Sequence, residues 1–477
     1  MHQLSIYSAV IALSFISFAT ALHNKHDHWN ELRDLNLNTP SQNSRLPILI
    51  DTFENPTHNN LGSGMAQFDT NRCYSLVPCL NEFLHVVFEG TDQFSVSLNQ
   101  HNDECNPRRS PFPSVADSVQ AERYVMHPGS ESSGRHDWDD EDVDEDDDYD
   151  SDVLSKEHLL NKEHQKHLRK SAGRHRYING TARIPKGPRE LYIPLTRFEI
   201  DFNRVVSVSF HGFYTPEPMT LHLVEIVPTV PSPSRENGFF RLPGKLPSGR
   251  LVLRCSRPNS FAFGIDDGQP QFSQRVMRIL DEEGVRVTFF VVGTGLRDRS
   301  SNFTEFYKEM LQKGHQVALH SNTHPKMESL QTVREIDEEI IQMVEVFKTQ
   351  LGIECTWNNV LVRNIFLTLI SASCFRPPFG TVAARLRQQL ARHIPNPYIV
   401  NWSVDVEDWL WANTSTPEKQ LDAFYRGVDK GGNLAVMHYL NPTTIEYLPK
   451  FIQHIKSAGY QIMRIDQCLE DVSAPPL

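Results

Sequence analysis

From Arg254 to Val472 the sequence alternates short apolar runs with longer amphipathic ones, and this alternation limits the fold more than any other feature of the chain. Ser260 to Ile265, Val287 to Val292 and Gln316 to Leu319 read as strands, and helical patterns follow them at Phe272 to Glu283, Phe303 to Lys313 and Thr332 to Leu351. Repeated strand and helix units imply a parallel sheet covered by helices, because a crossover between parallel strands needs a helix-length connection. The sheet can be open or closed into a distorted (β/α) barrel, both of them α/β forms. In such folds the chemistry gathers at the carboxyl ends of strands. Asp266, His320, Arg376, Asp408 and His438 each stand at or just after a strand-like run.

The preceding part, 45–227, predicts an all-β, sandwich-like domain. Leu46 to Ile50 and Phe83 to Phe88 are apolar, Phe94 to Leu98 alternates apolar with polar residues, and Leu191 to Leu195, Val205 to Phe210 and Leu221 to Ile226 are further short strands. Period two with β-branched and aromatic residues argues for half-buried strands. Asp51 to Asn55 with Asn59 to Gly62 resembles the opening of galactose-binding-like carbohydrate modules. A charged insertion, 130–176, interrupts this region. Asp137 to Asp152 holds 12 acidic residues, which accounts for the whole net charge of −12, and a basic, His-rich stretch from Lys156 to Arg176 follows. Opposite-charge blocks of this kind read as a solvated disordered insertion. The adjoining acidic block would neutralise the basic one, so no nucleic-acid partner is expected. Pro228, Pro231, Pro233, Pro243 and Pro247 mark 228–253 as a linker.

Ile6 to Phe18 followed by Ala19-Thr20-Ala21 reads as a signal peptide over 1–21, and no later stretch is apolar enough to span a bilayer. The expected product is secreted, extracellular or in the cell wall, and monomeric. Seven cysteines and the sequons at Asn179, Asn302, Asn401 and Asn413 agree with that route, Asn401 being the poorest acceptor because it lies in a strand-like run.

Ile265-Asp266-Asp267-Gly268 and His320-Ser321-Asn322-Thr323-His324 carry the chemistry. Two histidines four apart after one strand, with one carboxylate, form a set that suits zinc and leaves positions open for water and substrate. Successive side chains of an extended segment point opposite ways, so one aspartate binds the metal and the other is left as a base. Gly268 permits the tight turn that follows.

With three further motifs in order, the region 254–472 resembles the polysaccharide deacetylases with a NodB-type homology domain, carbohydrate esterase family 4. These motifs are Arg376-Pro377-Pro378-Phe379-Gly380, Asp405-Val406-Glu407-Asp408-Trp409 and Val436-Met437-His438. The chain departs from the family pattern at Ile265, Gln269, Phe379 and Val436. The resemblance implies that Asp267, His320 and His324 hold a divalent metal, zinc or else cobalt, while Asp266 is the general base and Arg376 keeps it ionised. It implies an oxyanion contact from the Phe379 N–H, a general acid in His438 tuned by Asp408, and a pocket for the acetyl methyl lined by Trp409 and Val436. The implied reaction is hydrolysis of N-acetyl groups on an N-acetylhexosamine polymer, with chitin as substrate. The alternatives are another cell-wall polysaccharide or exopolysaccharide, acetylated xylan, or a carbohydrate-binding protein with impaired catalysis.

Trp357 to Ser373 is an apolar stretch that lengthens the crossing to the arginine motif, and it reads either as translated intron in a gene model or as a genuine apolar loop covering the barrel edge. Cys255 and Cys468 bracket the α/β region and are expected to pair. Cys73, Cys79 and Cys105 belong to the β-rich part, and the odd total leaves at least one cysteine free.

Overall fold

The computed structural model describes residues 46–55, 73–126, 187–230, 242–353 and 373–477. The signal peptide, the charged insertion, Asn59 to Gly62, Asn179, Cys355 and the stretch 357–372 lie outside the described residues.

The N-terminal strands are β1 (Ile48–Asp51), β2 (Phe83–Gly90), β3 (Ser95–Gln100), β4 (Ser114–Gln120), β5 (Arg189–Pro194), β6 (Val205–His211) and β7 (Met219–Val227). They make two antiparallel sheets, β1-β7-β2-β5 and β4-β3-β6. Period two sets what they bury: Leu84, Val86 and Phe88 of β2, Val96 and Leu98 of β3, and Val224 and Ile226 of β7 share one apolar core. The expectation of half-buried strands fails on β3. Its polar face, Ser95, Ser97 and Asn99, is buried as well. Asn99 Nδ2 donates to Ser207 Oγ (2.9 Å) and to Ser209 Oγ on β6, so the buried polar groups are satisfied across the sheet.

The second part is built on β8 (Arg250–Val252), β9 (Ser260–Asp266), β10 (Thr288–Val291), β11 (Gln316–Leu319), β12 (Cys374–Phe375), β13 (Tyr398–Val400), β14 (Val404–Asp405), β15 (Leu434–His438) and β16 (Gln461–Ile462). All pair in parallel, in the order β14-β15-β9-β10-β11-β12-β13-β8, with β16 added beside β9. β8 falls inside the stretch read from sequence as linker. Its three residues carry no strand pattern of their own and are ordered by pairing with Tyr398 to Val400.

This sheet must curl. In a flat sheet β13 and β14 would lie six strand spacings apart, about 29 Å, yet the connection from Val400 to Val404 can reach only about 14 Å. The crossing is hydrogen-bonded on both sides, Asn401 N to Val252 O and Ser403 N to Leu434 O, so the two edges of the sheet approach each other as in a distorted barrel. Phe261, Phe263, Phe289, Val317 and Ala435 fill one continuous core with the covering helices.

Both parts belong to one compact unit. They meet on the helix Ala384–His393, whose polar residues Arg385, Arg387, Gln388 and Gln389 are buried rather than solvated. Ser95 Oγ accepts from Ala384 N, Gln120 Nε2 donates to Gln388 Oε1 (2.7 Å), and Arg387 pairs with Asp117 of β4 (3.1 Å). Disulfides join Cys73 to Cys105 and Cys255 to Cys468, while Cys79 and Cys374 are buried and unpaired.

Candidate metal centre and active site

Strand register brings the sequence motifs to one level. His438 at the end of β15 stands opposite Asp266 at the end of β9, Asp266 opposite Phe290 of β10, and Leu319, just before His320, opposite Phe375, just before Arg376. The chain then leaves the sheet through unusual backbone. Asp267, Ser321, His324, Phe379 and Glu407 all have left-handed φ, between 54° and 62°. For non-glycine residues this costs on the order of 1–3 kcal/mol each, and such residues cluster at functional sites.

Asp267 shows what the turn achieves. In an extended segment it would point away from Asp266, but its φ of 55° swings its carboxylate back to the same side. Both carboxylates therefore face the histidines, contrary to the reading from strand alternation. Gly268 completes the turn with φ 142°, and a Cβ there would stand 2.0 Å from the Tyr439 ring. Tyr307 and Tyr439 share a hydroxyl hydrogen bond of 2.6 Å, and Tyr307 donates to Asp267 O (3.3 Å), which supports the turn from below.

Asp267 Oδ1 lies 3.6 Å from His320 Nε2 and 3.7 Å from His324 Nε2. One ligand atom from each of the three residues falls within 4.8 Å of the others. Ligands bonded to a zinc-sized ion at about 2.0–2.2 Å in tetrahedral fashion lie roughly 3.3–3.6 Å apart, so this set fits a divalent cation. The proton inventory agrees. His320 Nδ1 is 2.7 Å from Arg376 O and must donate to it, leaving the Nε2 lone pair for a metal. Burial, and then the neighbouring His320, lower the pKa of His324, which favours the neutral ligand form.

Asp266 is held apart from that set. Its Oδ1 accepts from Arg376 Nη1 at 2.7 Å, and its Oδ2 is 3.9 Å from His320 Nε2. The guanidinium of Arg376 is fully buried, donates also to Val400 O and Asn401 O, and lies against the Phe290 ring (4.1 Å) and the Trp402 ring (5.6 Å). Gly264 makes room for it: a Cβ there would meet the guanidinium nitrogens at 2.5 Å.

On β15, Asp408 grips His438 twice, accepting from its backbone N–H (2.6 Å) and from Nδ1 (2.9 Å), so Nε2 is the nitrogen left to face the site. Burial disfavours the imidazolium, but Asp408, with Asp266 and Asp267 beyond it, outweighs burial and pushes its pKa up to about 10. A cation held by Asp267 would offset part of the aspartates' share. Val436 is buried on the same face of β15, two residues deeper. Trp409 and Phe379 are exposed at the mouth, and the Phe379 ring tilts over His324 with centroids 4.8 Å apart. Asp405 accepts from Trp409 Nε1 (3.4 Å), and burial pushes its pKa up to about 6.

All ten residues singled out from sequence thus lie at one end of the sheet. Gly264, Phe290, Trp402, Tyr307, Tyr439 and Asp405 were not singled out. A glycine inside a strand is a general sign of close backbone approach and could have drawn attention to Gly264. Asp405 opens the motif that ends at Trp409, and for Phe290, Trp402, Tyr307 and Tyr439 no local pattern exists.

The family model for polysaccharide deacetylase matches residues 254–394. Over those residues the chain carries a polysaccharide deacetylase domain. A peptidoglycan-N-acetylglucosamine deacetylase of Listeria monocytogenes is 27% identical over 274 residues, which are 57% of this chain and 50% of that protein. A chitin deacetylase of Pestalotiopsis is 24% identical over 230 residues, 48% of this chain and 70% of that one. The chain therefore spans about half the length of the first curated relatives it matches. Among solved structures, the chitin deacetylase of Colletotrichum lindemuthianum superposes with a TM-score of 0.40 at 23% identity, over 48% of this chain and 94% of that one.

Proposed function

We propose that this chain is a secreted, metal-dependent deacetylase that hydrolyses N-acetyl groups of an N-acetylglucosamine polymer, chitin in the first place. The observation that carries the reading is the division of labour at the site. Three residues form a metal-ligand set, a separate carboxylate is locked to a buried arginine, and a separate histidine is locked to a buried aspartate. The named relatives divide between chitin and peptidoglycan N-acetylglucosamine, which supports the sugar more than the polymer.

A divalent cation held by Asp267, His320 and His324 would supply Lewis acidity, making water a nucleophile near neutral pH and polarising the amide carbonyl. Asp266, held in place by Arg376, takes a proton from the attacking water as the water oxygen bonds to the carbonyl carbon. The Phe379 N–H donates to the oxyanion that develops. His438 delivers a proton from Nε2 to the amide nitrogen as the C–N bond breaks, and acetate and a free amine leave. Trp409 and Phe379 offer exposed rings against which sugar faces can lie, and Val436 forms the floor beneath the acetyl methyl. The β-rich part supports the barrel through the helix Ala384–His393.

The test is acetate release from chitin oligomers with zinc, with cobalt and with chelator, beside Asp266→Asn. Activity should vanish with chelator, return with metal, and fall by about 10²–10⁴-fold in the variant. Retained polymer binding with no acetate release from any N-acetylated polymer would instead make the chain a binding protein.

A further inference from the structure

The two histidine ligands sit on a five-residue loop that the strand alone does not hold. Ser321 and His324 are both left-handed, and between them the successive N–H groups of Asn322 and Thr323 converge on one point. Such a pair of converging N–H groups is a ready cradle for an anion. Glu339 fills it. Its Oε2 accepts from Asn322 N and Thr323 N, both at 2.9 Å, and its Oε1 accepts from Thr323 Oγ1 (2.5 Å). One turn farther along the same helix, Gln342 Oε1 accepts from Asn322 Nδ2 (2.8 Å), and Arg297 donates to Asn322 Oδ1 from the other side.

The helix that presents Glu339 is a firm support. Val333–Val346 begins with a complete capping box between Thr332 and Glu335 and buries Ile336, Ile340, Met343 and Val346. Glu339 is half-buried and, because its carboxylate faces the backbone between the two histidines, touches neither the ligand nitrogens nor the substrate face.

We propose that Glu339 is a positioning residue for the metal centre, an acidic clamp that fixes the spacing of His320 and His324. It rests on the reading of Asp267, His320 and His324 as metal ligands. Without the clamp the loop must find its ligating shape at the moment of binding, and affinity for the cation falls.

The experiment is calorimetric titration of the metal-free full chain with zinc ion, for the wild type, Glu339→Ala, Glu339→Gln and His324→Ala. Ala is a good helix residue at this half-exposed position, so the helix itself is retained. Removal of an outer-shell partner weakens metal binding by about 10–100-fold, and this is the effect expected for Glu339→Ala. Glu339→Gln keeps an acceptor and the packing but loses charge-assisted bonds, so about three- to tenfold weakening is expected. The kcat of Glu339→Ala should recover in excess zinc with KM unchanged, which a merely structural role does not produce. Wild-type zinc affinity in both Glu339 variants, while His324→Ala has lost binding, overturns the clamp and leaves the metal reading standing. Wild-type zinc affinity in His324→Ala overturns the metal reading itself, and the clamp with it.

Discussion

At His438 the charge balance is set mainly by Asp408, with Asp266 and Asp267 adding to it. Asp408 is almost fully buried and spends both carboxylate oxygens on this residue, one on the backbone and one on the ring. A general acid works only while protonated, so activity is present below its pKa and is lost as pH rises through it. Asp408→Asn removes the charge that raises this pKa, and the alkaline limb of the pH–kcat profile should move toward acid by about 1–3 pH units. An unmoved alkaline limb would exclude His438 as the group that limits activity at high pH. The aspartate pair and the histidine pair could be picked out from sequence because their ligand chemistry is written in the side chain, while Arg376, Asp408 and His438 entered through the family resemblance. Their seats could not. The slot for Arg376 is made of Gly264, Phe290 and Trp402, three positions distant in sequence that meet only through the sheet, and the backward turn of Asp267 is invisible to a rule that assumes extended backbone.

Among the elements, the helix Ala384–His393 departs furthest from its pattern. Its apolar residues Leu386 and Leu390 point into the barrel core, as amphipathicity predicts, but its charged side is buried too. Asp117 is the centre of that buried side: it pairs with Arg387 (3.1 Å) and Lys245 and accepts from Glu199 N (2.9 Å). Removing one partner of a buried pair leaves the other charge without compensation, at a cost of about 3–5 kcal/mol. Asp117→Ala should lose that much unfolding free energy in urea, and a loss under about 1 kcal/mol would show that Arg387 finds other support. The strands with strong periodicity, β9, β10 and β11, were legible to within a residue. β8 was not, because three residues just after Pro247 and Gly249 acquire strand geometry only from the partner Tyr398 to Val400. The burial of β3's serine face was equally hidden, since a polar face reads the same whether it meets water or a hydrogen-bonding helix.

The molecule as a whole joins a candidate active site at one end of its barrel to a β-rich layer that no motif of the site requires. The joint is polar, so its strength depends on pH. Glu328 lies inside it, almost fully buried, with Oε1 accepting from Ala383 N and Leu386 N at the start of the helix Ala384–His393. Burial raises its pKa from 4.5 to about 7, against the pull of those two N–H groups and of Arg385 and Arg387. The folded protein therefore holds a proton that the unfolded chain has released between pH 4.5 and 7. Over this window the contribution of Glu328 to stability declines as pH rises, and above pH 7 it is constant. At about 1.4 kcal/mol per pH unit for one proton, the whole change is on the order of 3 kcal/mol. Glu328→Gln keeps an oxygen for both N–H donors and cannot ionise, and any cost of burying its amide NH₂ is the same at every pH. Urea unfolding of both proteins at pH 5 and pH 7.5 should thus show the variant gaining on the wild type by about 2–3 kcal/mol between the two. Parallel stability curves would mean that Glu328 is already ionised in the folded joint, held by Arg385 and Arg387 rather than by its proton.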